Sequence, residues 1–178
     1  MSGAVSALVA GAAIAHTPYR QWKVLRQRFL LVHSSRTDPA SDEIADQIVV
    51  TFDRVLPEAN AMVARAPDEQ RIASLITTGQ AVLAVMRRDQ AIDLYRQQGA
   101  YQDYQGGILR ALVAVDDHIV VTSEHFPRHH AWLVTSALVE DDAKLDVQVA
   151  TGSADGDAVP THEGALAFAR GEPLEIAE

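Results

Sequence analysis

The 178-residue chain has no cysteine. That absence excludes disulfides, thiolate nucleophiles, iron–sulfur clusters, thiolate zinc sites, thioether-linked haem and a lipidated cysteine anchor. Acid is missing from the first 36 residues, which carry Arg20, Lys23, Arg26, Arg28 and Arg36. Residues 37–178 hold the other ten basic residues and all 24 acids, so an overall charge of −9 becomes −14 beyond Arg36. An acidic surface repels phosphates, which argues against a general nucleic-acid binder. The basic arm predicts contact with a membrane or an acidic partner. Familiar catalytic and nucleotide signatures are missing as well: no GxxxxGK[ST], GxGxxG, GxSxG or HExxH occurs. No repeat of 20–50 residues and no low-complexity linker divides the chain. What is present suits a packed core, with 48% apolar and 22% charged residues.

Val5 to Ala15 contains no charge and one hydroxyl, Ser6. Three readings compete for it. A signal peptide would end at Ala13-Ile14-Ala15 but lacks the usual positive region before the run. A transmembrane anchor is short, since a span needs about 20 apolar residues, although Tyr19 and Trp22 suit the headgroup zone. A buried helix of a soluble domain is the third. Gly3, Ala7, Gly11 and Ala15 recur every four residues and form one small stripe on a helix, which favours close packing against another membrane helix. The expectation is an anchor and basic stalk over residues 1–27 and an α/β domain over residues 28–178.

Within that domain, RFLLVHS (Arg28–Ser34) reads as a buried strand before the turn-forming SSRTDP. Ile44, Ile48, Phe52 and Val55 then follow at helical spacing from Asp38-Pro39 to Pro57. Ala59–Ala64 is a second strand, and Asp68 starts a helix that stops at Gly79. Ala81–Met86, Ile108–Val115 and Ile119–Ser123 are further strands, while Asp89–Gln98 and Arg128–Glu140 are helices. The remainder reads as a loosely built tail with a short helix at Glu163–Arg170. Alternating units with apolar strands predict a mainly parallel sheet with helices on both faces.

Open α/β sheets bind ligands beyond the carboxyl ends of their strands. Ser34, Ser35, Arg36 and Thr37 occupy that position after the first strand, and Arg87 ends the third. Hydroxyls, guanidinium groups and helix N-terminal amides together suit a carboxylate or phosphate. Asp38 and Asp42 oppose an anion there, and turn chemistry alone accounts for Ser, Thr and Asp. His118, His125, His129 and His130 are close in sequence. Pro127 interrupts them, and His129-His130 read as solvated or capping residues rather than metal ligands.

The stretch from Ala66 through Ser123, with LITTGQ, an immediate apolar strand, LRAL and VVTS, resembles the TAXI solute receptors of tripartite TRAP transporters. The close Val159-Pro160-Thr161-His162-Glu163-Gly164-Ala165 resembles the ending of that family. The resemblance implies one lobe of a type II periplasmic-binding fold. Two departures stand out. SSRTDPASDE replaces a glycine-rich loop, and His125-Phe126-Pro127 leads almost directly into Arg128–Glu140 where a second lobe would be inserted. Receptors of this kind bury solute between lobes. The expected function is therefore a non-catalytic, membrane-anchored accessory subunit of a complex with integral membrane subunits, without a cofactor or a metal. The alternative is a TRAP-type solute-binding subunit for a small carboxylate. The resemblance implies a globular domain on the periplasmic side of a bacterial inner membrane, whereas the basic cluster after the apolar run favours the cytoplasmic side.

Overall fold

A computed structural model describes residues 29–141, 145–152 and 158–174. The expected anchor and stalk, with Gly3, Ala7, Gly11 and Ala15, lie outside the described residues. Among the described residues, no helix is long and apolar enough to cross a membrane. The chain runs β1 (Leu31–Ser35), α1 (Pro39–Val55), β2 (Met62–Ala66), α2 (Glu69–Thr77), β3 (Leu83–Arg87), α3 (Arg88–Arg96), β4 (Leu109–Val115), β5 (His118–Ser123), α4 (Arg128–Val139), β6 (Val147–Val149) and α5 (Glu163–Ala169).

Local chemistry sets the boundaries. Asp38 caps α1 by accepting from the Ser41 amide, with Pro39 at the first helical position, where its missing N–H costs nothing. Asp68 caps α2 through the Arg71 amide at 2.7 Å. The second strand begins three residues later than the apolar run suggested. Pro57–Ala59 form a 3-10 turn, and Asn60 closes it in the left-handed region at φ 45°.

The six strands lie in the order β2-β1-β3-β5-β4-β6. β1 pairs in parallel with β2 and β3, whereas the β3–β5, β4–β5 and β4–β6 pairs are antiparallel. The sheet is thus mixed, not mainly parallel. Asp116-Asp117 closes a tight hairpin between β4 and β5, with Asp116 at φ 49°, and an antiparallel pair needs no crossover helix.

Helices cover both faces, as expected. Ile44, Ile48 and Phe52 of α1 share one core with Val134 and Leu138 of α4 and Ala165 of α5. Ile72 and Ile76 of α2 and Leu94 of α3 share the other. A register shift between Ala111 and Val113 swaps the facing of β4: Leu109 and Ala111 join the α2–α3 core, whereas Val113 and Val115 join the α1–α4 core. One inserted residue does this because side chains alternate with period two.

Among the described residues, the segment after α4 is built into the fold rather than loose. β6 adds an edge strand, Thr161 bridges Ala111, and the Thr161 hydroxyl donates to the Ala150 carbonyl at 2.6 Å. A periodicity reading misses this because three-residue β6 is too short to alternate visibly.

Candidate functional site

The carboxyl ends of β1 and β3 and the start of β5 meet at one end of the sheet. Ser34 and Ser35 close β1 and are buried. The Ser34 hydroxyl donates to Asp42 at 2.8 Å. The Ser35 hydroxyl lies 3.0 Å from Glu69 and 2.8 Å from the Thr37 hydroxyl, and Thr37 donates to the same Glu69 oxygen at 2.9 Å. The Ser41 hydroxyl accepts from the Ser35 amide at 3.1 Å and donates to the Asp38 carbonyl at 2.8 Å, holding the turn onto α1. The expected hydroxyl cluster therefore exists, and carboxylates of this same chain engage it.

The two guanidinium groups of the expected site differ. Arg87 engages Asp89 with two parallel bonds of 3.1 and 2.9 Å. Arg36 anchors its backbone amide to the Ala66 carbonyl at 2.9 Å, and its exposed guanidinium has no hydrogen-bond partner among the described residues. Arg65, on the neighbouring strand, binds Asp42 at 2.9 Å and Asp46 at 2.9 and 3.0 Å. The hydrogen bond from Arg65 holds the Asp42 carboxyl below its usual range, so Asp42 stays an acceptor for Ser34.

One pairing here crosses the sheet. His118 opens β5 opposite Arg87 and donates from Nε2 to Asp38 Oδ2 at 2.8 Å. Carboxylates only accept, which fixes the direction of this bond. Both side chains are mostly buried. The bond ties the α1 cap to the β4–β5 hairpin, 80 residues away in sequence. Sequence reasoning weighed His118 only with the other histidines as a metal ligand, and missed both Glu69 and the pairing of His118 with Asp38. The available signal was His118 directly after the Asp116-Asp117 turn, but its facing follows from the β3–β5 pairing alone.

Chemically, this end favours internal neutralisation over capture of an anion. The three hydroxyls serve Asp42 and Glu69, and an incoming carboxylate would meet those charges and Asp38. The hydroxyls of Ser34, Ser35 and Thr37 engage carboxylates of the chain rather than a histidine.

Two other histidines, His130 and His162, serve packing and capping. His130 is buried beside Phe126, with ring centroids 6.0 Å apart, rather than solvated. His162 is the cap of α5: Nδ1 accepts from the Gly164 amide at 3.0 Å and Nε2 donates to the Phe126 carbonyl at 2.9 Å. Burial lowers the His162 pKa, in keeping with a neutral ring that must accept at Nδ1. No group of three or more His, Asp or Glu side chains converges on a metal position among the described residues.

The opposite end of the sheet, where β1 to β4 begin, is built differently. A hollow of about 380 Å³ lies there between the end of α2 and the end of β5. Its lining includes Thr78, Val82, Gln105, Ser123, His125 and Phe126, and no Asp, Glu, Lys or Arg. No known family profile matches the chain, and no curated protein matches it significantly.

Proposed function

We propose that this chain is a non-catalytic, membrane-anchored accessory subunit of a membrane protein complex. Its α/β domain acts as a single solute-receptor-like lobe that contacts protein partners instead of enclosing a solute. The observation that carries the reading is the state of the carboxyl end of the sheet, where Asp42, Glu69 and Asp89 already engage Ser34, Ser35, Thr37 and Arg87. A four-residue link between Ser123 and Arg128 supports it, because a second lobe has no place to enter there. The resemblance of the sequence to TAXI receptors of TRAP transporters supports a domain on the periplasmic side of a bacterial inner membrane. Residues 1–27 would anchor it through the small stripe at Gly3, Ala7, Gly11 and Ala15.

The second reading is a solute-binding subunit for a small carboxylate. The observation in its favour is the exposed guanidinium of Arg36, which suits bidentate carboxylate recognition.

Purification of the full chain in mild detergent, with identification of co-purifying proteins, tests the first reading. Integral membrane subunits in stoichiometric amount are expected, and Gly11→Leu should reduce them by obstructing close helix approach. A chain that purifies alone and gains thermal stability from a small carboxylate would establish the second reading instead.

A further inference from the structure

We propose that the end of the sheet where β1 and β2 begin lies against an anionic lipid surface, an inference that rests on the membrane-anchored reading. Leu31 and Met62 are register partners in a parallel pair, so their side chains share one face. They are 38% and 49% exposed. Phe29, in the bend two residues before Leu31, is 42% exposed. Val32 pairs with Leu83, and one step back along both chain segments sets Leu31 beside Val82, which lines the hollow. Met62 and Leu31 thus form an exposed apolar pair, and Val82 beside them packs against the α1–α4 core and lines a hollow with no Asp, Glu, Lys or Arg. The opposite end of the sheet carries Asp38, Asp42, Glu69 and Asp89, whereas this end holds Glu58 in the turn before β2 and Glu124, paired with Arg110, after β5.

Two sequence facts indicate what covers the apolar pair. Phe29 is bonded directly to Arg28, and Arg26 stands three residues away, at most about 10 Å along the chain. Residues 1–28 contain Arg20, Lys23, Arg26 and Arg28 without an acid, and the uncharged run Val5–Ala15. Any surface that holds those cations brings this end of the sheet to it. Cations beside exposed Phe, Leu and Met side chains suit an anionic headgroup layer, with the apolar groups at the acyl boundary. The larger group of carboxylates, Asp38, Asp42, Glu69 and Asp89, then points away from the anionic lipid.

The chain lacks cysteine, so a single introduced thiol carries a fluorophore at one defined place. The full chain would be prepared as Met62→Cys and as Asp117→Cys at the opposite end. Each variant would be incorporated into vesicles of phosphatidylglycerol and phosphatidylcholine in which a fraction of the lipid is brominated. Contact with the acyl boundary should cut the fluorescence at position 62 at least about twofold, and leave position 117 at its value in unbrominated vesicles. Equal quenching at both positions, or quenching at 117 alone, overturns the proposal while the anchor stands. A chain that fails to float with the vesicles overturns the anchor and the proposal together. Undiminished quenching at position 62 on pure phosphatidylcholine overturns the anionic assignment. Shielding of position 62 only after a co-purifying subunit is added assigns the face to protein and likewise overturns the proposal.

Discussion

The two ends of the sheet solve different problems with similar residue types. At the carboxyl end of β1 and β3, every hydroxyl of the Ser34–Thr37 turn has a carboxylate, hydroxyl or backbone partner within the chain. At the beginning of the strands, the Thr122 hydroxyl donates to the Val82 carbonyl at 2.8 Å, and a hollow with no Asp, Glu, Lys or Arg in its lining remains. Polar residues mark both ends in the sequence. The difference lies in what they already touch, and it decides that the first end is a structural knot and the second an accessible surface.

The largest effect expected of any change at these ends is at Gly106, where β4 is approached. A Cβ there would sit 1.6 Å from the Leu94 carbonyl oxygen, a backbone atom that cannot swing aside. Gly106→Ala should cost about 3 kcal/mol, read by urea denaturation, because overpacking against fixed backbone is not relieved by a rotamer change. A cost below experimental error would mean that α3 and the Gly106 turn are not packed as described.

Next comes the knot itself. His118→Ala leaves the mostly buried Asp38 carboxylate with the Ser41 amide as its remaining side-chain partner and should cost about 2 kcal/mol by the same measurement. Asp38→Ala should cost at least as much, because it also removes the α1 cap. The double variant should cost less than the sum of the two, the signature of a direct contact. Strict additivity would show that the pair does not act as one unit.

The sequence made most elements legible because their chemistry is local. Asp38-Pro39 and Asp68 announce helix starts, and Ala81–Met86 and Ile119–Ser123 are apolar runs bounded by turns. The mixed character of the sheet was not legible, since β4 and β5 are as continuously apolar as parallel strands and only the Asp116-Asp117 turn separates them. The swap of β4 facing at Leu112 was hidden too, because a bulge alters register without altering composition. At the candidate site, the turn Ser34–Thr37 was found by its position. Its occupancy by Glu69 was not found, since that carboxylate arrives 32 residues after Thr37 through the packing of α2.

A smaller effect concerns pH. Burial, with Arg71 nearby, lowers the pKa of His33 in the middle of β1, and burial likewise lowers that of His162. Both rings therefore stay neutral in the fold at a pH where the unfolded chain, near the ordinary value of 6.5, takes up protons. The unfolded state then binds more protons, so stability is complete above that value and falls as pH drops below it. Denaturation between pH 7.5 and 5 should show this decline, and His33→Leu should flatten part of it. A flat profile in the unaltered chain would contradict the buried neutral state of both rings.

The smallest thermal effect belongs to exposed charges. Arg36→Lys should leave the melting temperature nearly unchanged while reducing assembly with the co-purifying subunits, since lysine lacks the bidentate geometry of guanidinium. Arg65→Ala should also shift melting little, because ion pairs of exposed side chains are screened by water and salt. Unchanged assembly of Arg36→Lys would reduce the turn to ordinary surface chemistry.

The account stands most directly on whether the carboxyl end of the sheet is closed to solute. Titration calorimetry of the full chain in detergent, against a panel of small mono- and dicarboxylates, measures this. The account predicts no heat of binding at micromolar concentration, because Asp42, Glu69 and Asp89 already occupy the hydroxyls and Arg87. Submicromolar affinity for any of these carboxylates, lost in Arg36→Ala, would contradict it and make the chain a solute receptor.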